Sequence, residues 1–142
     1  MFTAGRQQAV RDVMAILDKF EVAQPVLVHG DIANHNTFTE NGKLTALIDW
    51  EDCLSGDPVF DLAYYGTGCY GHDEWKEWFL DGYIKVNPLG DDFEKRYWAY
   101  YLRIALAKSI VRYRFKTATK RSLPDVRNRI LFGLSNLSAL VL

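Results

Sequence analysis

Nine residues near the start of the chain, 28–36, read VHGDIANHN. They place two histidines, one aspartate and two asparagines directly after an apolar run, Val26–Val28, which predicts a short buried strand. Beyond them, Asn41-Gly42 separates two further strand-like segments, and both residues tolerate the positive φ that a tight hairpin needs. The polar stretch is therefore expected in a loop that leads from a strand into a β-hairpin.

Length and composition limit the class of protein. The chain has 142 residues, of which 49% are hydrophobic, and a formal net charge of -1. These values predict one globular domain over residues 1–142 and give no reason to expect nucleic acid or a membrane as partner. Cys53 and Cys69 form no CxxC motif, and the N-terminus lacks a signal-peptide pattern. We therefore expect a cytoplasmic protein with free thiols.

The rest of the chain has the apolar spacing of helices. Trp78 is expected on the packed face of one helix, and Ile110 and Tyr113 on the packed face of another. The predicted fold class is α+β and mostly helical, with one small β-hairpin and about five helices. These helices are expected up to about Phe20, from Asp57-Pro58 onward, from about Asp73 to Lys85, from roughly Asp92 to Lys116, and from Ser122 onward.

Oxygen-bearing side chains flank the predicted hairpin. Asn36 enters its first strand and Asp49 leaves its second, so the turn returns Asp49 to the neighbourhood of Asn36. An amide oxygen and a carboxylate side by side suit Mg²⁺, which completes its octahedron with phosphate and water. Asp31, in the loop before Asn36, could accept a proton from a substrate hydroxyl. A loop base and two oxygen ligands are the parts that phosphoryl transfer needs.

Structural explanations compete with this interpretation residue by residue. Asp31 after Gly30 is a good turn residue, Asp57 before a proline is a good helix N-cap, and Asp61 could be a buried structural acid. The order of the clusters along the chain, together with the hairpin between them, favours the chemical interpretation. A metal-dependent hydrolase that uses His29, His35, Asp31 and Asp49 is disfavoured, because the histidine spacing is poor and no third histidine lies nearby.

Three motifs together resemble the aminoglycoside phosphotransferase family, whose members share the protein-kinase-like fold. They are HGDxxxxN from His29 to Asn36, IDWE from Ile48 to Glu51, and GDPxxDLA from Gly56 to Ala63. Within the family, the hairpin motif and the later segment Tyr101–Ile104 are similar to the hygromycin B phosphotransferase branch. The resemblance covers nearly the whole chain and corresponds to the C-terminal lobe of that fold.

This resemblance implies roles for the polar residues. Asp31 would be the catalytic base, Asn36 and Asp49 would bind Mg²⁺, and ATP or GTP would donate the phosphate. The residues implied to support the catalytic loop are His29, Asp57 and Asp61.

The same resemblance leads us to expect no N-terminal nucleotide-binding lobe within this chain. Only 28 residues precede His29, and they contain a single lysine, Lys19, and no glycine-rich loop. The surface that such a lobe normally covers is then expected to favour self-association.

Two functions follow from the sequence. The first is an ATP-dependent phosphotransferase that acts on a hydroxyl of an aminoglycoside-like or other small amine or sugar substrate, with a role in antibiotic resistance. Asp73, Glu74 and Glu77 lie beside two tryptophans and would bind such a cation, although acids at a helix N-terminus also complement the helix dipole. The alternative is a non-catalytic remnant or fragment that binds a small molecule or a protein partner.

Overall fold

The computed structural model describes residues 4–22, 24–117, 119 and 122–140. Within them lie five α-helices and two antiparallel sheets of two strands each, which confirms the predicted class. No helix of this part is long and apolar enough to cross a membrane. In chain order the elements are α1 (Ala4–Leu17), β1 (Val26–Val28), β2 (Thr37–Glu40), β3 (Lys43–Leu47), β4 (Leu54–Gly56), α2 (Val59–Gly68), α3 (Asp73–Ile84), α4 (Phe93–Arg114) and α5 (Ser122–Ala139).

The chain divides into two compact units. One comprises residues 1–21 and 90–142, with α1, α4 and α5, and the other comprises residues 22–89, with all four strands, α2 and α3. Every site residue predicted from the sequence lies in the second unit. The single domain over residues 1–142 stays a prediction.

The helical unit is built on α4, which packs against both α1 and α5. Aromatic rings fill the contact with α5: Trp98 meets Phe132 edge to face, with ring centroids 5.4 Å apart. Gly133 admits the ring of Tyr101, because a Cβ at this position would lie 3.0 Å from the Tyr101 Cδ1 atom. The absence of a Cβ atom at residue 133 therefore allows α4 and α5 to approach each other closely.

Burial along α4 ends at Ala105, so two packing predictions are wrong. Ile110 is 59% exposed and Tyr113 is 84% exposed. On α3, Trp78 is likewise 69% exposed, although it was expected on the packed face. Helical spacing shows which residues share a face, but it does not show how far along the helix a partner extends.

In the second unit, the hairpin forms as predicted. Strands β2 and β3 pair antiparallel, and Asn41 and Gly42 both adopt positive φ in the turn between them, 50° and 74°. The pairing β1–β4 was not predicted, because Leu54–Gly56 is too short to show an alternating pattern. β1 was expected to be buried, yet only Val28 is; Val26 and Leu27 are exposed. Cys53 is exposed and Cys69 is buried, with no disulfide between them in the part of the chain described.

The packing of α4 yields a stability prediction. Leu102 is 1% exposed, so Leu102→Ala should lower the free energy of unfolding by about 2–5 kcal/mol through lost contacts and a cavity. Ile110→Ala, on the same helix but exposed, should change it by less than about 0.5 kcal/mol. Chemical denaturation followed by circular dichroism measures both variants. Equal losses would show that the α4 core lies elsewhere.

Candidate active site

The Asp31 carboxylate is held by two side chains. Its Oδ1 atom accepts a hydrogen bond from the hydroxyl of Tyr64 on α2. Its Oδ2 atom accepts one from the Asn36 amide at 3.1 Å, and the same amide also donates to the Asp31 backbone carbonyl at 2.9 Å. Asp31 itself is half-buried. The predicted base therefore lies in a fixed orientation and still reaches solvent.

Asn36 and Asp49, the two predicted oxygen ligands, lie at the base of the hairpin. Both acceptors on Asp31 face the Asn36 side chain, so its NH₂ group must point to them and its Oδ1 atom away. The Ile48 amide donates to the Asn36 carbonyl at 3.0 Å, so Asp49 follows next to the paired residue. Asp49 is exposed and adopts a left-handed backbone, with φ of 67°.

The chemistry of the two predicted ligands suits Mg²⁺ bound together with phosphate. Among the described residues, no group donates a hydrogen bond to the Asn36 Oδ1 atom or to the Asp49 carboxylate, so both remain available. The same residues contain no cluster of three or more His, Cys, Asp or Glu that could hold a metal. A site of one amide and one carboxylate oxygen leaves most positions of the octahedron to phosphate and water, as Mg²⁺ prefers.

Asp61 binds the backbone of the loop from α2. Its Oδ2 atom accepts the His29 amide at 2.7 Å, and its Oδ1 atom accepts the Gly30 amide at 3.0 Å. Both oxygens are thus used on consecutive N–H groups, and hydrogen bonds to a charged acceptor are among the stronger ones in proteins. The carboxylate attaches the start of the loop to the first turn of the helix.

The His29 ring connects Asp31 to the strand before Asp49. Its Nε2–H donates to the Ile48 carbonyl at 2.9 Å, and its Nδ1 atom accepts the Asp31 amide at 3.2 Å. The ring is 2% exposed and packs against Trp50, with centroids 4.5 Å apart. Because both ring nitrogens are committed, His29 has none left for a metal, which weighs against the hydrolase alternative.

Asp57 begins α2. It is 4% exposed, and its Oδ1 atom accepts the Val59 amide at 3.0 Å while its carbonyl accepts the Phe60 amide. The cap position itself is Pro58, one residue later than predicted, which is within the usual variation of helix boundaries. Asp57 fixes the start of the helix that carries Asp61.

Sequence reasoning missed Tyr64 and Tyr65. Tyr65 donates from its hydroxyl to the Asn34 Oδ1 atom at 3.1 Å and stacks on Phe79, with centroids 4.2 Å apart. On a helix, residues three and four positions beyond Asp61 lie on its side, so both tyrosines face the loop that Asp61 holds. Helical spacing counted from Asp61 would have found them.

Burial and the neighbouring carboxylate keep Tyr64 protonated. Desolvation raises the pKa of the Tyr64 hydroxyl most, followed by its hydrogen bond to Asp31 and the negative charges of Asp31 and Asp52. Desolvation by burial also raises the pKa of Tyr65. The Tyr64 hydroxyl is therefore a donor at any ordinary pH.

The three acids predicted to bind substrate lie apart from this network. Asp73, Glu74 and Glu77 are all exposed on α3, and no hydrogen bond or ion pair joins them to Asp31 within the described residues. His72 stacks on Trp75, with centroids 4.4 Å apart, and its Nδ1 atom lies 3.8 Å from Glu74 Oε1. These acids therefore lie on an exposed surface next to aromatic rings, and no hydrogen bond or ion pair among the described residues joins them to the loop.

Comparison with known proteins gives consistent matches. A sequence profile described as the phosphotransferase enzyme family (APH) matches residues 2–107. The chain is 43% identical over 37 residues to hygromycin-B 4-O-kinase of Escherichia coli, which covers 26% of this chain and 11% of that protein. It is 32% identical over 77 residues to viomycin phosphotransferase of Streptomyces vinaceus, which covers 51% of this chain and 26% of that protein.

The fold matches that of a solved phosphotransferase. A thermostable mutant of aminoglycoside phosphotransferase APH(4)-Ia, in a ternary complex with ADP and hygromycin B, superposes with a TM-score of 0.59 at 20% identity. The match covers 98% of this chain and 43% of that chain. The chain thus spans less than half the length of the proteins that it resembles.

Two glycines in this unit form a matched pair for testing the loop. Gly30 and Gly42 both adopt positive φ, 87° and 74°, but only at Gly30 would a Cβ overlap the Asp52 backbone, 2.9 Å from its carbonyl carbon. Gly42→Ala should cost about 1–2 kcal/mol of unfolding free energy from backbone strain alone. Gly30→Ala should cost a further ~1–3 kcal/mol from the overlap. Denaturant titration compares the two, and equal costs would contradict the close approach of Asp52.

The Tyr64–Asp31 bond gives a titration prediction. Asp31→Asn removes the carboxylate and its charge, so the pKa of the Tyr64 hydroxyl should fall, while burial still keeps it above the ordinary value of about 10. Asp18→Asn, at an exposed carboxylate that is not among the charges acting on Tyr64, should leave it unchanged. NMR of ¹³Cζ-labelled tyrosine as a function of pH measures both. An unchanged Tyr64 pKa in Asp31→Asn would show that the two groups do not interact.

Proposed function

The chain belongs to the phosphotransferase enzyme family (APH), and we propose that it is the C-terminal lobe of a small-molecule kinase. It would transfer the γ-phosphate of ATP or GTP to an alcohol group of the substrate. The observation that carries the proposal is the Asp31 carboxylate, which hydrogen bonds from Tyr64 and Asn36 hold in one orientation. The family match supports the class of reaction.

Asp31 acts as the base in the proposed reaction. Its carboxylate accepts the proton of the acceptor hydroxyl as the hydroxyl oxygen bonds to the γ-phosphorus, and the bond from phosphorus to the nucleoside diphosphate breaks. A carboxylate has about four acceptor positions, and the two hydrogen bonds from Tyr64 and Asn36 leave room for the substrate.

Asn36 and Asp49 would hold Mg²⁺ with the phosphates of the nucleotide. Bound there, the ion would neutralise charge on the transferring group. The orientation of Asn36 supports this role, because the hydrogen bonds of its amide to Asp31 turn its oxygen away from the base. One residue thereby serves both the proposed base and the proposed ligand set.

The proposed substrate is an aminoglycoside-like compound or another small amine or sugar. Support comes from the names of the relatives, which refer to hygromycin B and viomycin, and an antibiotic-resistance role would follow. Asp73, Glu74 and Glu77 are proposed to attract the cationic substrate, and Trp78 beside them offers an exposed aromatic face.

The hairpin exposes apolar side chains that a nucleotide-binding lobe would cover. Phe38, Leu44 and Ile48 all belong to or adjoin β2–β3 and are largely exposed. Self-association of the 142-residue chain through this surface stays a prediction, as does its cytoplasmic location. The alternative function, a non-catalytic binding module, differs from the kinase in predicting neither nucleotide binding nor turnover.

Substitution of the base and the ligands tests the proposal. In an assay with Mg²⁺, ATP and hygromycin B or viomycin, Asp31→Asn should lower turnover by about 10²–10⁴-fold, since it removes the proton acceptor. Asn36→Ala and Asp49→Asn should raise the Mg²⁺ concentration needed for half-maximal rate more than they raise the KM of the acceptor. Asp18→Asn is the control and should keep the wild-type rate.

Full activity of the Asp31→Asn variant would contradict the proposal that Asp31 is the catalytic base. Absence of both turnover and Mg²⁺-dependent ATP binding in calorimetry would favour the non-catalytic alternative for the isolated chain.

A further inference from the structure

Asp31 receives one donor on each carboxylate oxygen, and the two donors come from different parts of the unit. Asn36 lies five residues away in the same loop, whereas Tyr64 lies 33 residues away on α2. We propose that Tyr64 is a positioning residue of the phosphoryl-transfer reaction, whose hydroxyl fixes the Asp31 carboxylate in its productive rotamer. The inference rests on the proposed function, because it takes Asp31 as the base.

A donor outside the loop is what determines this orientation. Asp31 and Asn36 belong to one short loop, so the bond between them can move with the loop as a whole. Tyr64 stands on the helix that also carries Asp61, and Asp61 holds the backbone at His29 and Gly30. The loop backbone and the Asp31 side chain are therefore fixed to the same helix.

One donor per oxygen also restrains rotation within the side chain. Rotation of an aspartate about χ2 exchanges its two oxygens and is otherwise nearly free. With Tyr64 on Oδ1 and Asn36 on Oδ2, such rotation breaks both hydrogen bonds. Because the raised pKa of Tyr64 keeps its hydroxyl protonated, the phenol serves as a constant donor and not as a competing base.

Tyr65 provides a matched control on the next residue of α2. It donates to Asn34 in the same loop and packs on Phe79, and among the described residues it makes no hydrogen bond with Asp31. Removing its hydroxyl loosens the loop at Asn34 while both donors to Asp31 remain. Comparing Tyr64→Phe with Tyr65→Phe therefore separates orientation of the base from general support of the loop.

NMR measures the χ1 rotamer of Asp31, which determines where its carboxylate lies, without any need for turnover. In the wild-type chain, the three-bond couplings from Asp31 Cγ to its backbone nitrogen and carbonyl carbon should have the values of a single χ1 rotamer. In Tyr64→Phe they should move to rotamer-averaged values, and in Tyr65→Phe they should stay as in the wild type. Amide spectra of all three chains confirm that each is folded.

Averaged couplings in the wild type, or a single rotamer in Tyr64→Phe, would overturn the proposal. Equal averaging in both tyrosine variants would overturn it as well, since Tyr65 would then matter to Asp31 as much as Tyr64.

Kinetics provide a second readout. Where the protein turns over, Tyr64→Phe should lower kcat about tenfold, the loss expected for one hydrogen bond to a charged group, with KM within about twofold. Tyr65→Phe should change kcat by less than about twofold, as expected when no donor to the base is lost. An unchanged kcat in Tyr64→Phe would count against positioning. Full activity of Asp31→Asn would instead overturn the proposed function, while the coupling measurement would still decide whether Tyr64 holds Asp31.

Discussion

The Asp61 carboxylate is the contact on which the candidate site depends. It accepts the amides of His29 and Gly30 at once, so the residues immediately before Asp31 are attached to the first turn of α2. Without this pair of bonds two adjacent N–H groups would lose their partner, at a cost of about 1–3 kcal/mol for each if they stayed buried. Asp57 determines where the helix begins, and Tyr64 and Tyr65 continue the attachment one turn further along.

The pairing of β2 with β3 determines where the two proposed metal ligands lie along the chain. Because the Ile48 amide pairs with the Asn36 carbonyl, Asp49 follows beside Asn36 at the open end of β2 and β3. His29 links the Asp31 loop to the end of the hairpin, since its ring forms hydrogen bonds with both the Asp31 amide and the Ile48 carbonyl. Asp31, Asn36 and Ile48, the residue before Asp49, therefore belong to one continuous hydrogen-bond network.

Local features of the site could be predicted from the sequence. Asn41-Gly42 predicted the hairpin because few residues accept two successive positive φ angles. The hairpin brings Asp49 next to the residue that pairs with Asn36, while the role of both residues as metal ligands stays a prediction. Tyr64 was missed because its contact with Asp31 joins residues 33 positions apart. In addition, a tyrosine in an apolar helix is usually interpreted as a buried core residue. The exposure of Ile110 and Trp78 was missed because helical periodicity shows which residues share a face, but it does not show whether another element packs against that face.

Paramagnetic NMR with Mn²⁺ and ATP tests the central claim most directly, since Mn²⁺ takes the oxygen ligands that Mg²⁺ takes. The account predicts that Mn²⁺·ATP broadens the amide signals of Asn36 and Asp49 most strongly, and those of the Asn41-Gly42 turn, at the other end of the hairpin, less strongly. It also predicts that the effect is lost in a chain with Asn36→Ala and Asp49→Asn combined. Strong broadening elsewhere, or equal broadening in the double variant, would contradict a metal–nucleotide site beside Asp31.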